Sequence, residues 1–595
     1  FGFASLNSNT NGSFNTSSGY QAGFHNTTGS RNTIFGHLAH FWNTTGTSNV
    51  ALGHRALHFN DGGHANVAIG AYALNTSTDR SNNVAIGDSA LMNNGDGAVG
   101  GTQATGNTAV GSKSMYGNTT GSKNTVVGYQ AFYSNTSGVD NTAVGYKALY
   151  SNLNTPSNTA IGAYAMESNT SGIFNTAVGH SAMKNSLNGH SNVAVGNGAM
   201  ILNVTGSHNV AVGRESMQQN RHGSENTVIG HQAAQSDTIG QLNVAIGYRA
   251  LWMNPDRSEL IAIGDSALLN NGVGTTSPVH ATRNIAIGSN ALVSNTTGYN
   301  NLGVGDQSLH ENTVGFRNTG LGHLALRATT TGDDNIGVGY EALNSNTTGN
   351  SNVAIGNYAL ENSTLGSSNV AVGRDALEAN TSGASNVAVG RDALTSNTDG
   401  DENVALGDDA AFRNTSGGFN VAIGGNANYY NNVGAGNVII GHQAGNGAAL
   451  HAKDKCVMIG YQAGMFETTS NRLYIDNSST GDPLVYGEFD NDLLKINGNA
   501  HVVHSNNAGN GGLRVTNVTN GNFWRIYTSS STGDLRLYNN ANGSTIMGDF
   551  DQGTGIYTAS DRRLKKDISS VPSILDQISA LDDFVTQCDG DDPII

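Results

Sequence analysis

Eighteen histidines in a chain of 595 residues invite a metal centre. His37, His54, His180, His231, His323 and His442 each follow a glycine in the same local setting, but that slot also holds Tyr, Asp, Arg and Ala. A metal site demands consistent ligands, so the pattern reads as outward decoration and no metal is expected. His501-Val502-Val503-His504 is the nearest approach to a ligand pair. Asn-X-Thr triplets at Asn26, Asn118 and Asn295 match glycosylation sequons, yet a recurring turn forces them. Glycine spacing suggests a phosphate loop, but no Gly-Lys-Ser/Thr follows a strand. Acidic residues are scattered, without the paired carboxylates of a glycosidase, and the Gly-Gly-X-Gly-X-Asp nonapeptide of calcium β-rolls is absent. Cys456 and Cys588 cannot make a disulfide framework. The expectation is no cofactor and no chemistry on another molecule.

What these residues share is a period. The unit Asn141-Thr142-Ala143-Val144-Gly145-Tyr146-Lys147-Ala148-Leu149 is followed by a polar stretch to Ser157, and the next unit opens at Asn158. Its glycine recurs every 17 residues from Gly2 to Gly87, from Gly111 to Gly264 and from Gly288 to Gly441, with joins of 24 between the runs and a last step of 19 to Gly460. That makes 27 units, and the asparagine four residues before the glycine is present in all complete units but those of Leu260 and Cys456. Seventeen residues are too few for a helical hairpin repeat. Asn-Thr-Ala-Val-Gly is a short β-forming run ended by glycine, and Asn-Thr-Thr-Gly is turn chemistry. The expected fold is all-β: a parallel β-solenoid of about 27 coils, one unit per coil, stacked at about 4.8 Å into a rod of roughly 130 Å. Asn66, Asn141 and Asn352 would then belong to an amide ladder along the axis, beside the glycine column of Gly70, Gly145 and Gly356.

Composition agrees. Gly is 80 of 595 and Pro only 6, which is neither collagen nor a charged disordered chain. Net charge is 28 − 44 = −16, against a nucleic-acid partner. No run of 18 apolar residues exists, so no membrane insertion is expected. The chain opens on Phe1 without a basic-then-apolar leader, the expectation for a processed chain or a fragment.

Side-chain alternation sorts the two strand faces. In Val193-Ala194-Val195 the small residue points one way and both valines the other. Ala85, Ala143, Ala211, Gly303 and Gly337 suit a narrow lumen. The Val or Ile before each glycine points away from it, and a strand apolar on both faces is normally covered on both. The second column is expected to pack against sister chains, most simply as a homotrimer; the other solution is one wider coil whose lumen takes both columns.

The motifs Asn66-Val67-Ala68-Ile69-Gly70, Asn83-Val84-Ala85-Ile86-Gly87 and Asn352-Val353-Ala354-Ile355-Gly356, each followed by an Ala-Leu pair, resemble the head repeats of trimeric autotransporter adhesins. That resemblance implies left-handed parallel β-rolls in a homotrimer. The head family mostly uses shorter coils, and longer turns take up the extra residues here.

After residues 1–466, the repeat shaft, the period disappears. Residues 467–500 read as a β-rich cap or neck and 501–558 as a β-rich distal module, with aromatic strands such as Phe523-Trp524-Arg525-Ile526-Tyr527. Solenoid ends need capping, because an open coil exposes unpaired strand edges. Residues 559–595 open with Ala559-Ser560-Asp561-Arg562-Arg563-Leu564-Lys565-Lys566-Asp567-Ile568, which resembles the junction before endosialidase-type intramolecular chaperone domains of phage tail fibres, and a short helix is expected over residues 573–581. In that family the chaperone trimerises the fibre and then cuts itself off. The resemblance implies Ser560 as nucleophile, Lys565 as base and cleavage at Ser560–Asp561. Only 35 residues follow Ser560, so this chemistry is expected of a longer parent chain.

The function expected is a structural attachment fibre, most simply a phage tail fibre in the virion, with a bacterial cell-surface adhesin as the alternative and an ice-binding solenoid as the alternative of another class. Partners would be sister chains and a host-surface glycan or protein. Recognition wants irregular surface with rigid aromatic anchors, which points to residues 467–558 and to Tyr486, Trp524 and Tyr527, the rod supplying reach.

Overall fold

Thr, Val and Ile beside a small residue make a strand of only three residues, because glycine follows at once. The computed structural model describes residues 2–277, 279–499, 513–516, 522–528, 534–539, 545–550 and 557–558. It holds twenty-six three-residue strands, from Thr16–Ser18 to Val457–Ile459, one per coil. Each pairs in parallel with the next at the repeat register, as in Thr142↔Thr159, Ala143↔Ala160 and Val144↔Ile161. The register holds across both 24-residue coils, where Ala85 faces Ala109 and Ala262 faces Ala286. The extra residues are therefore looped out without disturbing the strand. No helix occurs among the described residues; the helix expected over 573–581 lies outside them.

The corners of a coil are made by left-handed backbone. Asp140, Lys147 and Leu149 have φ of 57°, 54° and 53°, and equivalent residues repeat along the chain. Such a conformation costs about 1–2 kcal/mol for an ordinary residue, and a bond to a neighbouring coil offsets it at these three. Lys147 N–H donates to Tyr129 O at 3.1 Å, Leu149 N–H to Ala165 O at 3.0 Å and Asp140 N–H to Ser122 O at 3.2 Å. The strand-ending glycine is more demanding. Gly145 sits at φ 134°, and a Cβ there would lie 2.5 Å from Gly162 O of the next coil. Only glycine fits such a close approach.

The lumen is lined by three columns: the strand alanine (Ala143), the alanine three after the glycine (Ala148) and the Leu or Met after that (Leu149, Met166, Met183), all fully buried. Where one column swells another shrinks, as close packing requires. Ile439 accompanies Gly445, its Cγ2 lying 3.2 Å from where a Gly445 Cβ would be, and Met458 accompanies Gly464, with Sδ 2.7 Å from that position. The valines and isoleucines before the glycine stay outside: Ile161 is 40% exposed, Ile355 42% and Leu406 46%. The wider coil that would have swallowed both columns is thus excluded.

Beyond the last coil, Arg472–Ile475 continues the parallel stack, Leu473 facing Val457, and Val485–Glu488 then pairs antiparallel with it, Tyr486 opposite Tyr474. Residues 1–495 form one compact unit. In the other, strands Leu513–Thr516, Phe523–Thr528, Leu535–Asn539, Thr545–Phe550 and Tyr557–Thr558 make an antiparallel sheet.

Candidate functional site

The repeat builds two asparagine ladders, of which sequence reasoning found one. In the expected ladder the main link is backbone to side chain: Asn141 N–H donates to Asn124 Oδ1 at 2.9 Å, while its Nδ2 reaches Thr155 O at 2.9 Å. Asn66 repeats this with Asn49 Oδ1 (2.9 Å) and Arg80 O (2.7 Å), and Asn352 with Asn335 Oδ1 (3.0 Å) and Gly366 O (2.8 Å). Gly70, Gly145 and Gly356 stand in the adjoining column at φ 130°, 134° and 141°. Leu260 and Cys456 keep the backbone bond, to Asn243 and Asn437, but have no amide to pass on.

The second ladder lies seven residues after the glycine, at Asn118, Asn135, Asn203, Asn220 and their equivalents. Asn135 Nδ2 donates to Asn118 Oδ1 at 2.6 Å, and Asn312 Nδ2 to Asn295 Oδ1 at 2.9 Å. The ladder has a polarity: where two of its asparagines bond, Nδ2 donates to the Oδ1 one coil earlier. Four acceptors are stranded where the next coil lacks an asparagine: Asn60 precedes Ser77, Asn220 precedes Asp237, Asn312 precedes Thr329 and Asn346 precedes Ser363, and all four Oδ1 atoms are buried without a partner; Asn169, before Ser186, instead accepts from Gly172 N–H at 3.1 Å. The sequon asparagines Asn26, Asn118 and Asn295 belong to this ladder and are fully buried, closed to glycosyl transfer in the folded chain. The sequence signal was the recurring Asn of Asn-Thr-Thr-Gly, which passes for ordinary turn chemistry.

Two ionisable groups interrupt the regular interior. Asp237 takes an asparagine's place in the second ladder, accepting from Gly240 N–H at 2.7 Å, Asn243 Nδ2 at 3.0 Å and Asn254 Nδ2 at 3.1 Å. Burial nonetheless pushes its carboxyl up to about 7. His40 takes a leucine's place in the lumen, and burial lowers it to about 3. At the far end Lys453 lies wholly inside, its Nζ donating to Gly445 O in the space that glycine leaves; burial lowers it to about 8.

The outer surface carries columns of rings. After the glycine, Tyr20, His37 and His54 stack at 5.2 Å steps, and His231, His323 and His442 stack on Tyr248, Tyr340 and Tyr461. Among the described residues no group of three or more His, Cys, Asp or Glu is placed to hold a metal. The turn threonines donate along the axis, as Thr119 Oγ1 does to Thr136 O at 2.9 Å and Thr313 Oγ1 to Thr330 O at 3.0 Å.

Of the residues singled out for recognition, Tyr486 packs edge-on against buried Tyr474 at 5.3 Å and its hydroxyl donates to Glu488 at 2.8 Å. Trp524 is exposed and Tyr527 half-buried on the same strand, which places the two on alternate sides of that strand from each other only by register, three residues apart. Ser560 and Lys565 lie outside the described residues, as does the pair His501 and His504.

Sequence missed the props of the two long coils. Arg80 and Arg257 stand where the turn glycine usually does, seven residues before Gly87 and Gly264, and both are buried. Arg80 donates to Ala98 O at 2.6 Å and Gly100 O at 2.7 Å; Arg257 donates to Thr275 O at 2.6 Å. Each guanidinium thus holds up the inserted loop of the following coil. The signal was available: a cation in a glycine slot just ahead of each break in the period. No protein-family model, curated protein or solved structure matches the chain.

Proposed function

We propose that this chain is the shaft of a structural attachment fibre, assembled as a homotrimer, and most simply a phage tail fibre that adheres to a host surface; a bacterial surface adhesin is the same reading in another setting. The observation that carries it is the outward column of Val, Ile and Leu before the glycines, continuous from Leu52 to Ile459. Covering a side chain of this kind that is two-fifths exposed is worth roughly 1 kcal/mol. Repeated at Leu52, Ile86, Val127, Ile161, Ile229, Ile287, Leu321, Ile355, Leu406 and Ile459, with less exposed members of the column between them, that is a large stabilisation which a solitary chain forgoes. An extended apolar stripe of this size marks an interaction surface, and a symmetric assembly buries the same stripe of every copy. The resemblance to adhesin heads, and that of the Ser560 segment to a trimerising chaperone junction, support the same assembly.

Ice binding finds less support. It wants a flat rank of free threonine hydroxyls, whereas the first threonine of the turn directs its own to a carbonyl of the next coil, as at Thr119 and Thr313, and the second position varies in type. Sedimentation analysis of the purified chain tests the proposal. An elongated trimer is expected, and Ile355→Lys, which puts a charge in the stripe, should weaken it. A compact monomer would sink the reading.

A further inference from the structure

We infer that the second long coil carries a saccharide site on the flank of the solenoid, shaped for one neutral hexopyranose ring; its use in host contact rests on the attachment reading, its chemistry does not. Regular coils stack side chains on their equivalents, as Tyr116, Tyr133 and Tyr150 do at 5.2 Å steps. Between Gly264 and Gly288 the inserted loop is propped by Arg257 through Thr275 O. Beside it opens a cleft of about 300 Å³ lined by Asp256, Glu259, Val279, Arg283, Tyr299 and Asn300, with smaller hydroxyl residues between them. That is the lower end of the size range of small-molecule pockets.

The lining has the parts a sugar needs. Tyr299 stacks on Phe316 of the following coil at 4.9 Å and 4°. This fixes the ring and occupies the face away from the cleft, leaving the other for the C–H face of a pyranose. Glu259 and Arg283 form an ion pair at 2.6 Å, which holds an acceptor and a forked donor side by side, a match for two neighbouring hydroxyls. Asp256 is held by Ile239 N–H at 3.2 Å and by the Thr238 hydroxyl, both on Oδ1. One guanidinium against two carboxylates leaves the cleft negative, which disfavours acidic sugars and phosphates.

The first long coil is an internal control. It lies 177 residues earlier and has the same arginine prop, yet the positions of Glu259, Arg283 and Tyr299 hold Asn82, Gly106 and Ser122. Loop architecture alone therefore requires neither the ion pair nor the ring.

The test is saturation-transfer NMR on the full chain with methyl glucopyranoside, methyl galactopyranoside and methyl mannopyranoside, and with glucuronate as the charged counterpart. At least one neutral pyranoside should give a signal, weakened tenfold or more by Tyr299→Ala and by Arg283→Gly, retained by Tyr299→Phe, and stronger than that of glucuronate. Tyr299→Ser copies the first long coil and guards against a folding artefact, its melting curve being recorded alongside. If no neutral pyranoside exceeds the signal of the Tyr299→Ala variant, the site is refuted. Host-cell adhesion measured on the same samples separates the two ideas. Adhesion without pyranoside binding removes the site and spares the fibre; pyranoside binding without adhesion does the reverse.

Discussion

Thr329→Asn should stabilise this protein, an unusual direction for a substitution at a fully buried position. Thr329 interrupts the second ladder. Its own Oγ1 and the Oδ1 of Asn312 are both buried without partners, and Asn346 above it bonds only Gly349 O, at 3.1 Å. An asparagine would donate to Asn312 Oδ1 and accept from Asn346 Nδ2, as Asn312 itself does with Asn295 at 2.9 Å. Each buried polar atom left unpaired costs about 1–3 kcal/mol. Two are relieved, about 2–6 kcal/mol together, and fitting a longer side chain returns about 1–3 kcal/mol of that, for a mid-range net gain of about 2 kcal/mol. A solenoid this long need not unfold in one step, so the measurement should be local. Hydrogen exchange in peptides covering residues 312–349 should slow by roughly tenfold for each 1.4 kcal/mol, with distant coils unchanged. Thr329→Val removes one stranded atom and leaves the other, so it should fall between. Unchanged or faster exchange in the asparagine variant would refute the account of the ladder.

Asp237 offers a pH test. Its carboxyl titrates near 7 when folded against 3.8 unfolded, so the fold binds the extra proton: stability is greatest below 3.8, falls as pH rises toward 7 and stays low above. Asp237→Asn should flatten that slope and stabilise the fold at pH 8 by on the order of a few kcal/mol, seen as a higher melting temperature; identical pH profiles would count against it. His40 runs the other way. Folded near 3 against 6.5 unfolded, it leaves stability intact above 6.5 and erodes it as pH falls toward 3, and His40→Leu should abolish that acid sensitivity in melts between pH 4 and 7. Ala143→Phe overfills the lumen and should cost about 1–3 kcal/mol or more, while Tyr146→Ala, at an exposed position, should be nearly silent; equal losses in melting temperature would overturn the assignment of faces.

Strand, coil and lumen were legible because they rest on residues that must recur: a glycine that no side chain can replace at Gly145, and a small residue at Ala143. The corners were not. Asp140 and Lys147 hold the left-handed conformation through inter-coil bonds, and their types vary from coil to coil, so no residue identity betrays them. The second ladder was hidden in plain turn chemistry, because what buries Asn169 is a missing side chain: a Cβ on Gly172 would lie 2.5 Å from its Oδ1. The cleft was invisible for a different reason. Glu259 and Arg283 are 24 residues apart, and a reading tuned to a constant period compares neither with the other. The same reading expected only reach from the rod, whereas breaks in the period are where a rod acquires individuality.

The strict register between coils also makes length a heritable variable of an uncommon kind. Every coil offers its neighbours the same upper and lower edge, so removing or duplicating 17 residues rejoins Asn to Asn, Gly to Gly and strand to strand, whereas a loss of 16 sets every column against the wrong partner. Unequal recombination within such a gene is thus filtered by arithmetic: whole coils rejoin every column, and extra residues are tolerated where they loop out, as in the two 24-residue coils. Two propped coils stand 177 residues apart, one plain and the other furnished with an ion pair and a ring. Lineages of this protein should differ in reach by multiples of one coil thickness, with their ornaments evolving independently of their span.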